Sequence, residues 1–96
     1  MKAKFSIKEN GKDPFDMNSK EADQIHLEGG SFIEVSTVAD GNAMIHAEGL
    51  SIKEEGQELD KNPEPIDIHL TQGDKVELST PDGKSSWEIT LVSTQS

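Results

Sequence analysis

The chain has no cysteine, no arginine and no tyrosine, and its only aromatic residues are Phe5, Phe15, Phe32 and Trp87. Without cysteine there is no disulfide, no zinc ribbon and no thiol nucleophile. With one tryptophan and no tyrosine, a surface of stacking aromatic platforms is not expected. No apolar run approaches the roughly 18 residues of a membrane-spanning helix. The first residues, Met1-Lys2-Ala3-Lys4-Phe5-Ser6-Ile7-Lys8, lack the apolar stretch of a secretory signal, so a cytoplasmic location is expected. Positive charge is also scarce. Nine lysines oppose 19 acidic residues, giving a net charge of −10. That balance disfavours direct contact with nucleic acid or an anionic membrane.

Catalytic signatures are missing as well. There is no Gly-x-Ser-x-Gly elbow, and Ser36 and Ser79 lie in strand-like runs. Gly29-Gly30 is a turn with no helix behind it, not a phosphate-binding loop. No pair of carboxylates stands out among the 19 acids. No catalytic residue is assigned.

What the chain does have is a sparse but ordered set of apolar residues. Leu, Ile, Val and Phe make 21 of 96 residues. That is just above the roughly 20% below which disorder is the default. The length fits one domain, residues 1–96. The apolar residues recur with period 2. Ala3, Phe5 and Ile7 share a face, as do Ile33, Val35 and Thr37, and Ile45 and Ala47. Further on, Leu50/Ile52, Ile66/Ile68/Leu70, Val76/Leu78/Thr80 and Trp87/Ile89/Leu91 repeat the pattern. Such alternation over four to eight residues marks half-buried strands. Asn10-Gly11, Asp40-Gly41 and Asp82-Gly83 suit tight turns with positive φ. The stretch 12–24 reads as a loop with a short helical turn capped at Asn18, or an edge strand. Asn62-Pro63-Glu64-Pro65 favours an extended loop.

Two strings recur in order. Phe5-Ser-Ile-Lys-Glu-Asn-Gly11 is matched by Leu50-Ser-Ile-Lys-Glu-Glu-Gly56. The run Ile25-His-Leu at the head of residues 25–37 returns as Ile68-His-Leu at the head of residues 68–80, and both stretches end in Ser-Thr. Ordered similarity of this kind predicts two tandem units, about 3–47 and 48–93. The expected fold is all-β: a small eight-stranded antiparallel sandwich or barrel, jelly-roll-like, built from two four-stranded repeats.

Three histidines share the polar side of these strands, each with an acid two residues away: His26 with Glu28, His46 with Glu48, and His69 with Asp67. Neighbours at i and i+2 lie roughly 6–7 Å apart, which two side chains can span to one cation. His26, His46 and His69, with Glu28, Glu48 and Asp67 as co-ligands, are therefore the candidate metal set. The plainer reading is a solvated face that needs no cofactor. Charge is also segregated. Residues 1–12 hold four lysines against one glutamate, while residues 48–67 hold seven acids against two lysines. Glu54, Glu55, Glu58 and Asp60, with Phe32 as an apolar anchor, form the candidate interface. The leading expectation is a non-catalytic binding or assembly module whose acidic surface takes a protein partner of basic character, with oligomerisation left open. The alternatives are a metal-binding protein or small metalloenzyme using the strand histidines, and an acidic inhibitor that imitates nucleic acid.

Overall fold

The computed structural model describes residues 1–27, 31–53 and 63–95. These residues form nine strands: β1 (Lys2–Glu9), β2 (Phe15–Lys20), β3 (Gln24–His26), β4 (Phe32–Ala39), β5 (Asn42–Glu48), β6 (Ser51–Ile52), β7 (Ile66–Thr71), β8 (Lys75–Ser79) and β9 (Ser86–Gln95). They make two sheets, sheet I in the order β2-β1-β9-β8-β6 and sheet II in the order β3-β4-β5-β7. Every pairing is antiparallel. Among the described residues no strand pairing joins the sheets, so the sandwich option holds and the barrel does not. No helix is present among the described residues, and none is long and apolar enough to cross a membrane.

The sequence alternation explains the packing. Ala3, Phe5 and Ile7 of β1 turn inward, as do Ile33 and Val35 of β4, Ala43, Ile45 and Ala47 of β5, and Trp87, Ile89 and Leu91 of β9. Residues of both sheets join one core cluster. Each fully buried aliphatic side chain contributes about 1.5–3 kcal/mol, so a small set suffices if none is wasted. The Cα radius of gyration is 12.7 Å. A compact domain of this length is expected near 12–13 Å.

Four expectations change. Thr80 does not follow Leu78 inward, because Ser79, facing Ser51 and Ser86 on the neighbouring strands, is the buried residue there. The stretch at Asn18 is the edge strand of its two readings and not the helical turn: it belongs to β2, paired to β1 with Lys4 opposite Asn18, and it makes nine strands among the described residues where eight were expected. Thr37 does not follow Val35 inward. A bulge at Ser36 shifts the phase by one residue, so Thr37 is exposed and Val38 is buried. Ile52 does not follow Leu50. Leu50 is fully buried, whereas Ile52, in a two-residue strand at the sheet edge, is 43% exposed.

The sheets correspond to each other strand by strand. Residues Gln24, Ile25 and His26 of β3 face Glu34, Ile33 and Phe32 of β4 in the register in which Lys75, Val76 and Glu77 of β8 face Thr90, Ile89 and Glu88 of β9. The β4–β5 pairing, with Val35 opposite Ile45, matches β9–β1, with Leu91 opposite Phe5. The bulge after Val35 is answered by one at Val92. The β5–β7 pairing, with Asn42 opposite Thr71, matches β1–β2, with Lys2 opposite Lys20. The crossovers agree too. Asp23 N–H donates to Lys20 O and Asp74 N–H to Thr71 O. Lys20 N–H donates to Asp23 Oδ2 and Thr71 N–H to Asp74 Oδ2. Ala22 N–H reaches Val35 O and Gly73 N–H reaches Leu91 O, both at 2.8 Å. Thus β1, β2, β3 and β4 correspond in order and register to β5, β7, β8 and β9, with the two sheets exchanged. Among the described residues only β6 has no counterpart. This is not the alignment of the repeated strings, which sets Ile25-His26-Leu27 against Ile68-His69-Leu70. Those segments share an environment, one side on the core and the other on the outer face of sheet II, but not a topological place.

Candidate functional site

The outer face of sheet II gathers most of the residues singled out in the sequence. Because inward and outward residues alternate, cross-strand register sorts the outer side chains into rows. One row runs Gln24, Glu34, His46, Asp67 across all four strands. A second runs His26, Phe32, Glu48. A third sets Met44 beside His69, and a fourth sets Asn42 beside Thr71. Among the described residues no lysine projects from this face, while Lys2, Lys4, Lys8, Lys20 and Lys75 project from sheet I. There Lys4 pairs with Asp16 at 3.6 Å and Lys75 with Glu88 at 3.7 Å.

His46 is the centre of the longest row. Its Nδ1 lies 2.9 Å from Asp67 Oδ1, and its Nε2 lies 3.9 Å from Glu48 Oε2. The hydrogen bond to Asp67 raises the His46 pKa above its ordinary 6.5, helped by the charges of Asp67, Glu48 and Glu34 against a desolvation effect. Gln24 Nε2 donates to Glu34 Oε2 at 3.0 Å. The row is thus two hydrogen-bonded pairs side by side, Gln24–Glu34 and His46–Asp67. All these groups remain in contact with water, and the His46 side chain is 31% exposed.

The i, i+2 partnerships expected along each strand are only partly formed. Asp67 was matched to His69 by sequence spacing, yet it bonds His46 across the β5–β7 pair. Directly opposite residues lie about 4.5–5.5 Å apart at Cβ, closer than i, i+2 neighbours on one strand. His69 Nε2 bonds Asn42 Oδ1 at 3.3 Å instead. His26 stands off near Phe32, with ring centroids 6.1 Å apart. The three histidines share a face but not a point. Among the described residues no group of three or more His, Asp or Glu is placed to hold a metal ion. Glu28 of the candidate metal set, and Glu54, Glu55, Glu58 and Asp60 of the candidate interface, lie outside the described residues. Phe32 is half-buried on the sheet II face, between His26 and Glu48.

Sequence reading missed Gln24 and Asn42 as partners in this face, and it read Glu34 only as solvated polarity. A mid-strand Glu opposite a mid-strand His was the available signal, but it needs the β4–β5 register, which no local pattern supplies.

No protein-family model, no curated protein and no solved structure matches the chain.

Proposed function

We propose that the protein is a non-catalytic binding module whose outer sheet II face docks a basic segment of a partner protein. The observation that carries this reading is the row Glu34–His46–Asp67 with Glu48 beside it, on a face without lysine among the described residues. An exposed four-stranded face suits an extended partner surface better than a small molecule, which needs a concave pocket. Carboxylates spaced along rows meet lysine or arginine heads without burying charge. Half-buried Phe32 supplies apolar area beside them.

An oligolysine peptide serves as the probe. Amide shifts in an NMR titration are expected on β4, β5 and β7, with binding weakened by salt. The triple variant Glu34→Gln, Glu48→Gln, Asp67→Asn is expected to weaken binding about tenfold or more, in line with the loss of several charge contacts. Binding should also weaken as pH falls and His46 becomes charged among Asp67, Glu48 and Glu34. Shifts confined to sheet I, or an affinity unchanged in the triple variant, overturn the reading.

A further inference from the structure

The strand correspondence between the sheets exposes one seat that, among the described residues, is filled on one side only. After β5 the chain passes Gly49 and the fully buried Leu50 into β6, which lies along the outer edge of β8. Ile52 stands opposite Leu78, and Lys53 N–H donates to Glu77 O at 2.8 Å. Gly49 and Ser31 stand where the chain enters that seat, Ile66 opens β7 opposite Ala47, and Glu77 and Leu78 lie along it. Their counterparts, read from the matched registers, are Glu9, Trp87, Phe15, His26 and Leu27. These five residues line an open groove of about 420 Å³. The chain leaving β1 does not fill it. Lys12 N–H donates to Glu9 O in a turn that leads to β2 on the far side of β1, so β3 gains no fifth strand among the described residues.

The two seats differ in the way a filled and an open site should. Leu78 is fully buried beside β6, whereas its counterpart Leu27 is only partly buried. Phe15, at the groove wall, is 49% exposed. Trp87, which also lines the groove, is 4% exposed. The carbonyl of Glu77 points away from β9 to meet Lys53, so the same register aims the His26 carbonyl at the open edge of β3.

We infer that this groove and the adjoining β3 edge accept an extended segment of a partner protein with apolar residues at alternate positions, seated as Leu50–Lys53 is seated on β8. Addition of a strand to an open sheet edge takes affinity from main-chain hydrogen bonds and specificity from pockets for alternate side chains. The first apolar residue of the guest would enter between Phe15 and Trp87, as Leu50 enters the core. This surface is separate from the acidic face of sheet II, and its test does not depend on that face.

The chain supplies both the probe and the reporter. The probe is the capped peptide Gly-Leu-Ser-Ile-Lys, the sequence of residues 49–53, and Trp87 is the only tryptophan. A saturable change in Trp87 emission is expected, with amide shifts at Phe15, His26 and Leu27. Phe15→Ala, at an exposed position and checked by circular dichroism for an intact fold, should weaken binding about fivefold or more. Replacing the peptide's leucine by lysine should abolish the response. The inference is overturned by an unaltered affinity in Phe15→Ala, by no response at millimolar peptide, or by shifts confined to β6 and β8, which would mean strand displacement. It is also overturned if Leu59→Ser alone changes Trp87 emission without peptide, since residues 54–62 would then be the occupant.

Discussion

At the scale of single residues, backbone conformation separates two positions that composition treats alike. Ala22 has φ 73°, the only positive φ at a non-glycine among the described residues, while its counterpart Gly73 has φ 95°. The left-handed region costs an L-residue about 1–2 kcal/mol. Ala22→Gly should therefore raise stability by about 1 kcal/mol, partly offset by the extra freedom of glycine in the unfolded chain. The thermal midpoint measures it, with a rise of a few degrees expected. Gly49 is the opposite case. Its φ is +76°, and a Cβ there would lie 3.0 Å from Ser31 Oγ, the hydroxyl that donates to Gly49 O. Gly49→Ala should lower the urea midpoint, at a cost of about 1–3 kcal/mol from backbone strain alone.

His46 gives a pH signature of known sign. Its folded pKa is raised, first by the hydrogen bond to Asp67. Its contribution to stability is thus fully present below the ordinary value of 6.5 and is lost as pH rises through the raised folded value. An NMR titration should show the His46 midpoint above 6.5, and Asp67→Asn should bring it back towards that value. A His46 midpoint unchanged in Asp67→Asn would show that the 2.9 Å contact does not govern its titration.

At the scale of elements, the strands were legible because each has one face on the core and one on water. The period-2 runs of β1, β5, β7 and β9 translate directly into burial. The pattern failed where the backbone slips phase, at the Ser36 bulge, and where a strand outlasts its cover, at Ile52. Neither event has a local sequence signal. The short edge pair β6–β8 carries a further oddity. Ser51 stands opposite Ser79, and both hydroxyls are buried with no hydrogen-bond partner among the described residues. A buried hydroxyl without a partner contributes a desolvation penalty of about 1–3 kcal/mol. The double variant Ser51→Ala, Ser79→Ala should therefore be neutral or more stable in denaturant unfolding. A marked loss would mean that these hydroxyls do find partners.

At the scale of the whole molecule, the strand correspondence makes the pairing of Lys2 with Gln95 equivalent to a hairpin end. Ala39 stands opposite Asn42 across the Asp40-Gly41 turn, and Gln95 stands opposite Lys2. Joining Gln95 to Lys2 through Asp-Gly and opening the chain between Asp40 and Gly41 should give a circular permutant with the same sheets. Its amide spectrum is expected to match the parent except near the new ends, with one cooperative melt. The opened tip loses some anchoring, because Gly41 N–H donates to Thr94 Oγ1 and Gly41 O accepts from Gln72 N–H. A modest fall in midpoint is therefore expected, and loss of the fold would refute the equivalence.

The sequence by itself determined the class of fold, the inward-facing residues of most strands, the positive-φ turns at Gly11, Gly41 and Gly83, and the place of His26, His46 and His69 on the polar side of their own strands. These follow from local rules: the two-residue period of a strand and the steric freedom of glycine. Tertiary structure alone decided which strands are neighbours, and with that every cross-strand partner. It gave Asp67 to His46 rather than to His69, and it matched β3 with β8 rather than β7. Among the described residues it also paired the edge of β8 with β6 and gave the outer edge of β3 no strand. For strands that no short turn joins, register is a relation between segments far apart in the chain. It is set by how two sheets bury their apolar faces together, which no string of neighbouring residues encodes.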